Sequence, residues 1–120
     1  MIPDRRDIEK ETLQNENYRK VLYTVPNQFQ LVLMCLRVGE DIPKEKHKFT
    51  TQFIRIEEGN GRAVIGDKSY ILRDGVSLVI PPNTNHYIKN TSKTKSLKLY
   101  AIYTPDNHPS NEIIHRQPSC

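Results

Sequence analysis

The sequence predicts an all-β fold of the sandwich or barrel type, and three observations predict it. Eight short runs rich in β-branched and aromatic residues spread over the 120-residue chain, at the spacing of about ten residues that such folds show. Clusters of Gly, Pro, Asn, Asp and Ser separate the runs. Only residues 7–17 carry a pattern that suits a helix.

Taken in order, the segment "DIEKETLQNEN" comes first. Asp7 is a candidate N-cap, but Ile8 and Leu13 are the whole apolar face, so a short helix and irregular chain both stay open. The strands are then "RKVLYTV", "QFQLVLMCLRV", "TQFIRIEEG", "RAVIG", "KSYILR", "VSLVIP", "HYIKN" and "SLKLYAIYT". Turn chemistry stands between them as "VPN", "GED", "EGNG", "GD", "RDG", "PPNTN" and "NTSKTK". Gly59, Asn60 and Gly61 mark a tight hairpin where positive φ must be tolerated, and Gly66-Asp67 marks a second. The tail, residues 106–120, is rich in Pro, Asn and Ser and is expected to be loose. No linker divides the chain, so residues 1–120 form one domain, with an N-terminal arm over 1–19 and a core over about 20–105.

Composition bounds the function. Apolar residues are 36% and charged residues 27% of the chain, enough for a modest core. No stretch approaches the ~20 apolar residues that span a bilayer, and no membrane role is expected. The first twenty residues are polar and of mixed charge with no apolar signal segment, so a cytoplasmic location is expected. The net charge is +4, but the lysines are dispersed and no aromatic residues interleave with them. Nucleic-acid binding is therefore not expected. The two cysteines are Cys35, inside an apolar run, and Cys120, and they are not expected to pair.

Chemistry concentrates in "PKEKHKFTTQFIRIEEGNG" and "IPPNTNHYIKN". Side chains alternate faces along a strand. Glu45 and His47 point the same way if extended. Gln52 shares a face with Ile54 and Ile56, and His86 shares one with Ile88. Four metal-capable groups then sit among apolar neighbours, where a divalent cation would satisfy them jointly. Each residue alone is more often an ordinary hydrogen-bonded or solvated side chain, so the spacing of the whole set carries the argument.

That spacing resembles a known family. Gly39, Glu45, His47, Gln52 and Gly59, followed by Gly75, Pro81, His86 and Asn90, match the order and spacing of the two cupin motifs, G-x5-H-x-H-x3-4-E-x6-G and G-x5-P-x-G-x2-H-x3-N. Glu45 stands at the first His position, Gln52 at the Glu position, and Asn83 where the family has Gly, a residue that tolerates positive φ. More narrowly, the chain resembles small single-domain cupins of the mannose-6-phosphate isomerase-like group. The resemblance implies a double-stranded β-helix, or jelly-roll, barrel. It implies one divalent metal, Fe, Mn, Ni or Zn, held by Glu45, His47, Gln52 and His86. It also implies a homodimer.

Phe49, Ile54, Ile56 and Ile88 share faces with these ligands, so the pocket is expected to be apolar. Arg55, Lys46, Lys48 and Lys89 have the opposite parity and are expected to point out, which leaves no cationic clamp for a phosphosugar. Two functions follow. One is a metal-dependent enzyme, of dioxygenase or isomerase type, acting on a small molecule. The other is a non-catalytic ligand-binding or sensing module. His108 is expected to hydrogen-bond within a loop, His115 and Glu57 to be solvated, and Tyr87 to lie on the outer face.

Overall fold

The computed structural model describes residues 2–118. One helix and ten strands follow one another as α1 (Ile8–Gln14), β1 (Arg19–Val25), β2 (Phe29–Leu36), β3 (Asp41–Glu45), β4 (Thr51–Glu58), β5 (Gly61–Ile65), β6 (Lys68–Leu72), β7 (Ser77–Ile80), β8 (His86–Asn90), β9 (Leu97–Thr104) and β10 (Ile113–Ile114). All eight expected strands form. The helix forms too: Asp7 caps it by accepting from the Lys10 N–H. Thr12, not an apolar residue, is its buried contact.

Two antiparallel sheets face each other in the jelly-roll arrangement. The larger has the order β10-β1-β2-β9-β4-β7 and the smaller β3-β8-β5-β6. Between them the inward residues close a core that includes Val32, Met34, Leu36, Ile54, Ile56, Ile88, Leu97 and Leu99. β2 and β4 flank β9, and the register sets Gln30 and Gln52 on either side of Tyr103. One row inside the larger sheet is thus polar, while the rows above it are aliphatic.

The outer face of the larger sheet is partly covered by α1. Leu33 and Cys35 are buried there. Burial raises the pKa of the Cys35 thiol, and Cys120 lies outside the described residues. Lys98 is also buried; its ammonium donates to the Leu13 carbonyl at 2.5 Å and to Glu16 at 3.0 Å, which fastens the helix to β9.

The expected hairpin at Gly59–Gly61 is a crossing between the two sheets, since β4 and β5 belong to different sheets. Gly59 has φ +109°, and a Cβ there would stand 2.6 Å from the Ser96 carbonyl oxygen, so only glycine fits. β3 was not expected. It carries a proline and one buried residue, Ile42, and it survives as an edge strand that pairs with β8 on one side only. The tail is not loose: Ile113 and Ile114 pair with β1. Gln117 accepts from the Asp41 N–H at 2.7 Å. The side chain of Glu57 is also not solvated, being 3% exposed and paired with Arg55 at 2.9 Å.

Candidate metal centre

β3 delivers Glu45, the following loop delivers His47, and β8 delivers His86. Antiparallel pairing places Glu45 directly opposite His86. Glu45 Oε1 lies 3.2 Å from His47 Nε2 and 3.2 Å from His86 Nε2. One donor atom from each of the three residues falls within 4.8 Å of the others. The two imidazoles stand 5.2 Å apart, centroid to centroid.

The surroundings orient these side chains. His86 is 1% exposed, and its Nδ1 lies 3.1 Å from the Thr84 carbonyl oxygen. That oxygen can only accept, so Nδ1 carries the proton and Nε2 turns a lone pair toward Glu45. A lone pair against a carboxylate oxygen is repulsive unless a proton or a cation stands between them. The Asn83 N–H donates to the His47 carbonyl at 2.7 Å, which ties the His47 loop to the turn before β8. Asn83 adopts φ 59°, the left-handed conformation expected of a residue in the family's glycine position. Burial pushes the Glu45 carboxyl up, but the hydrogen bonds and charges that His47 and His86 supply when a proton stands on their Nε2 atoms outweigh it and hold its pKa near 2.

Gln52 comes from the facing sheet and is 1% exposed. Its amide donates to the Tyr103 hydroxyl at 3.1 Å, while its Oε1 is buried with no partner. The Tyr103 ring lies 5.9 Å from that of His47. An orphaned buried amide oxygen, held by a tyrosine whose ring borders the Glu–His–His cluster, is donor chemistry that a divalent ion would complete.

The apolar residues divide. Ile54, Ile56 and Ile88 are fully buried in the core below the site. Phe49 is not inside: it is 79% exposed, with the Lys48 ammonium 5.8 Å from its ring centroid. Strand alternation does not reach it, because residues 46–50 are a loop. Lys46, Lys48, Arg55 and Lys89 point outward as expected. Tyr87 also keeps to the outer face, half-buried, where its hydroxyl donates to Asp41 at 2.7 Å.

Three residues near the site were missed by sequence reasoning. Arg19 opposes Met34 in register, and Met34 is a core residue, so the arginine projects into the sandwich. Tyr18 lies under it, 5.7 Å from the guanidinium carbon. Gln30 is fully buried and holds the segment after β9: it donates to the His108 carbonyl at 2.7 Å and accepts from the N–H groups of Asn107 and His108. His108 is thereby packed edge-on against Tyr103 with ring centroids 5.0 Å apart. The signal was parity. Gln30 shares a face with Val32, Met34 and Leu36, and Arg19 shares one with Val21.

A family model described as "Cupin domain" matches residues 32–103. An uncharacterised protein of Acanthamoeba polyphaga mimivirus is 47% identical over 115 residues, covering 93% of this chain and 71% of its own. The uncharacterised protein YrkC of Bacillus subtilis is 41% identical over 113 residues, covering 89% of this chain and 60% of its own. The crystal structure of BH2720 from Bacillus halodurans superposes with a TM-score of 0.91 at 36% identity, covering 96% of this chain and 90% of that one.

Proposed function

The chain belongs to the cupin family, and from its paired histidines and carboxylate we infer that it is a metal-dependent small-molecule protein whose site is built by Glu45, His47, Gln52 and His86. The observation that carries this reading is the meeting of three ligand atoms within 4.8 Å, with His86 fixed in the tautomer that presents Nε2 to the others. Two histidines and one carboxylate suit iron, manganese, nickel or zinc.

A bound divalent ion supplies Lewis acidity toward an oxygen-bearing ligand, the chemistry shared by dioxygenase-type and isomerase-type cupins. The protein's own groups do the rest. Glu45 stays ionised at neutral pH and offsets part of the cation's charge. Tyr103 fixes the Gln52 amide, and burial keeps the Tyr103 hydroxyl protonated far above neutrality. The packed floor of Ile54, Ile56 and Ile88 excludes water from below.

The assembly proposed is a cytoplasmic homodimer. Ile71 and Val79, on the consecutive strands β6 and β7, are exposed aliphatic residues that a second copy would cover. Among the described residues no helix is long and apolar enough to cross a membrane. Kinship with mannose-6-phosphate isomerases rests on ligand types alone.

Metal analysis of the purified protein, followed by calorimetric titration with Mn²⁺, Fe²⁺, Ni²⁺ and Zn²⁺, tests the reading. Saturable uptake at one site, abolished in His86→Ala, is the expected result. A wild-type protein that stays metal-free after exposure to all four ions refutes it.

A further inference from the structure

We propose that β6 is a docking edge, and that its occupant is the β6 strand of a second copy of this chain, laid antiparallel with the two-fold axis at Tyr70. The proposal rests on the homodimer reading above and assigns the contact that makes it.

The sheet edges are not protected alike. β10 is two residues long. β3 contains Pro43, its register shifts between Ile42 and Glu45, and its Asp41 N–H already donates to Gln117. β7 is four residues long and runs into Pro81 and Pro82. β6 has none of these devices. It is five residues long, pairs with β5 in unbroken register and contains no proline. Lys68, Ser69, Tyr70 and Ile71 are all exposed, Tyr70 by 41% and Ile71 by 72%. A bare edge with two large side chains of this kind is a template for another strand.

β5 decides which backbone groups of that edge are free. The Gly66 N–H donates to the Asn85 carbonyl at 2.8 Å, on the β8 side. Alternation then turns Ile65, Ala63 and Gly61 toward β6, and their partners Lys68, Tyr70 and Leu72 back toward β5. The N–H and C=O of Ser69 and Ile71 point off the edge. Charge selects the partner. Asp67 and Arg73 flank β6, both are exposed, and neither has an ion pair among the described residues. Antiparallel pairing about Tyr70 lays Asp67 of each copy opposite Arg73 of the other. It also sets Ser69 opposite Ile71, so the free backbone groups of both copies meet as hydrogen-bonded pairs. Tyr70 faces Tyr70 in the intervening non-hydrogen-bonded pair, where side chains stand closest. Pairing about Ile71 would oppose Arg73 to Ser69 and bring Lys68 to Asp74, whose carboxylate already accepts the Gly59 N–H. The contact about Tyr70 is two-fold and leaves no free β6 edge, so assembly stops at two chains.

Sedimentation velocity of the full chain across the micromolar range tests the contact. The wild type is expected to sediment with the mass of two chains. Ser69→Pro removes an N–H that the single chain does not use and sets a ring on the edge. It is expected to give a species with the mass of one chain and an unchanged circular dichroism spectrum. Asp67→Arg and Arg73→Asp, each alone, oppose like charges at both ends of the contact and are expected to weaken the dimer at least about tenfold. The two together restore opposite charges and are expected to return the dissociation constant to within about threefold of wild type. The charge reversals carry the test should Ser69→Pro not fold. A wild type that stays single throughout the range overturns both the β6 contact and the homodimer. A dimer that neither Ser69→Pro nor the single reversals weaken overturns the β6 contact and leaves the homodimer standing on another surface. A double reversal no tighter than the single ones does the same.

Discussion

The two ends of the barrel interior obey different rules. Toward one end Leu36, Leu97, Leu99 and Ile56 are fully buried, and on the three strands β2, β9 and β4 nothing polar shares their rows, with Arg19 of β1 standing only at the edge of the Met34–Leu99–Ile56 row. At the other end Gln30, Tyr103 and Gln52 form a row that faces Glu45, His47 and His86 across the gap between the sheets. Apolar packing is complete in itself, because every contact it needs is supplied by the chain. The polar end is not complete: it retains buried atoms without partners. A folded chain tolerates such atoms when something outside the chain satisfies them. The difference locates function at one end and stability at the other, and substitutions can separate the two.

The largest expected effect is at the polar end. His47→Ala or His86→Ala should lower divalent-metal affinity by about three orders of magnitude, ~4 kcal/mol, because the remaining ligands cannot hold a borderline ion alone. Calorimetric titration reads it. A loss below about tenfold would mean that the two imidazoles are not ligands.

The converse change belongs to the aliphatic end. Ile56→Ala leaves a cavity where the side chain was fully buried. The expected cost is about 3 kcal/mol in a urea unfolding curve, with metal affinity unchanged. If metal affinity falls in parallel, the two ends are mechanically coupled and the comparison fails.

Much of this contrast was legible in the sequence, and the rest was hidden for physical reasons. The strands were readable because alternation puts Val32, Met34 and Leu36 on one face and Ile54 and Ile56 on another. The meeting of Glu45, His47 and His86 was readable because the three sit at the offsets of the two family motifs. β3 was hidden because an edge strand needs few apolar residues and tolerates Pro43. The tail was hidden because its order comes from Gln30 and Asp41, distant in sequence, and not from its own composition. Phe49 misled because parity counting was carried through a loop. Arg19 was hidden because an arginine at a strand start reads as solvated, although its parity with Val21 already pointed it inward.

Acid should weaken the polar end first. Burial and Arg19 depress the His108 pKa from 6.5 to about 4. Below pH 6.5 the unfolded chain takes up a proton that the folded chain refuses. The contribution is therefore full above pH 6.5, declines as the pH falls to about 4, and is flat below that. Its size is on the order of 2 kcal/mol for a ring this well buried. Glu45, with its pKa held near 2, acts in a lower window: its contribution is present above the ordinary carboxylate value of about 4.5 and is lost toward pH 2. Metal-free melting curves of wild type and His108→Phe should diverge between pH 6.5 and 4 and run parallel below. Parallel curves throughout would place His108 in solvent contact.

The smallest expected effect is the most discriminating, and it concerns Gln52. Its amide nitrogen donates to Tyr103 while its oxygen has no partner. In Gln52→Glu the Tyr103 hydroxyl can donate to the new carboxylate, so that hydrogen bond survives with its direction reversed. Two carboxylates and two histidines then neutralise a divalent charge in full. Metal affinity should rise about tenfold at neutral pH, ~1.4 kcal/mol, and the gain should fade in acid as the carboxylates protonate. Without metal the same substitution should destabilise the fold by about 1 kcal/mol, because the new carboxylate and Glu45 repel each other and at least one must take up a proton. Affinity and metal-free stability thus move in opposite directions, which no purely structural role for Gln52 produces. If the buried oxygen merely tolerates its lack of a partner, the added charge costs stability without any gain in affinity. Paired calorimetric titrations and metal-free melting curves separate the outcomes, and the second of them would reduce the centre to Glu45, His47 and His86.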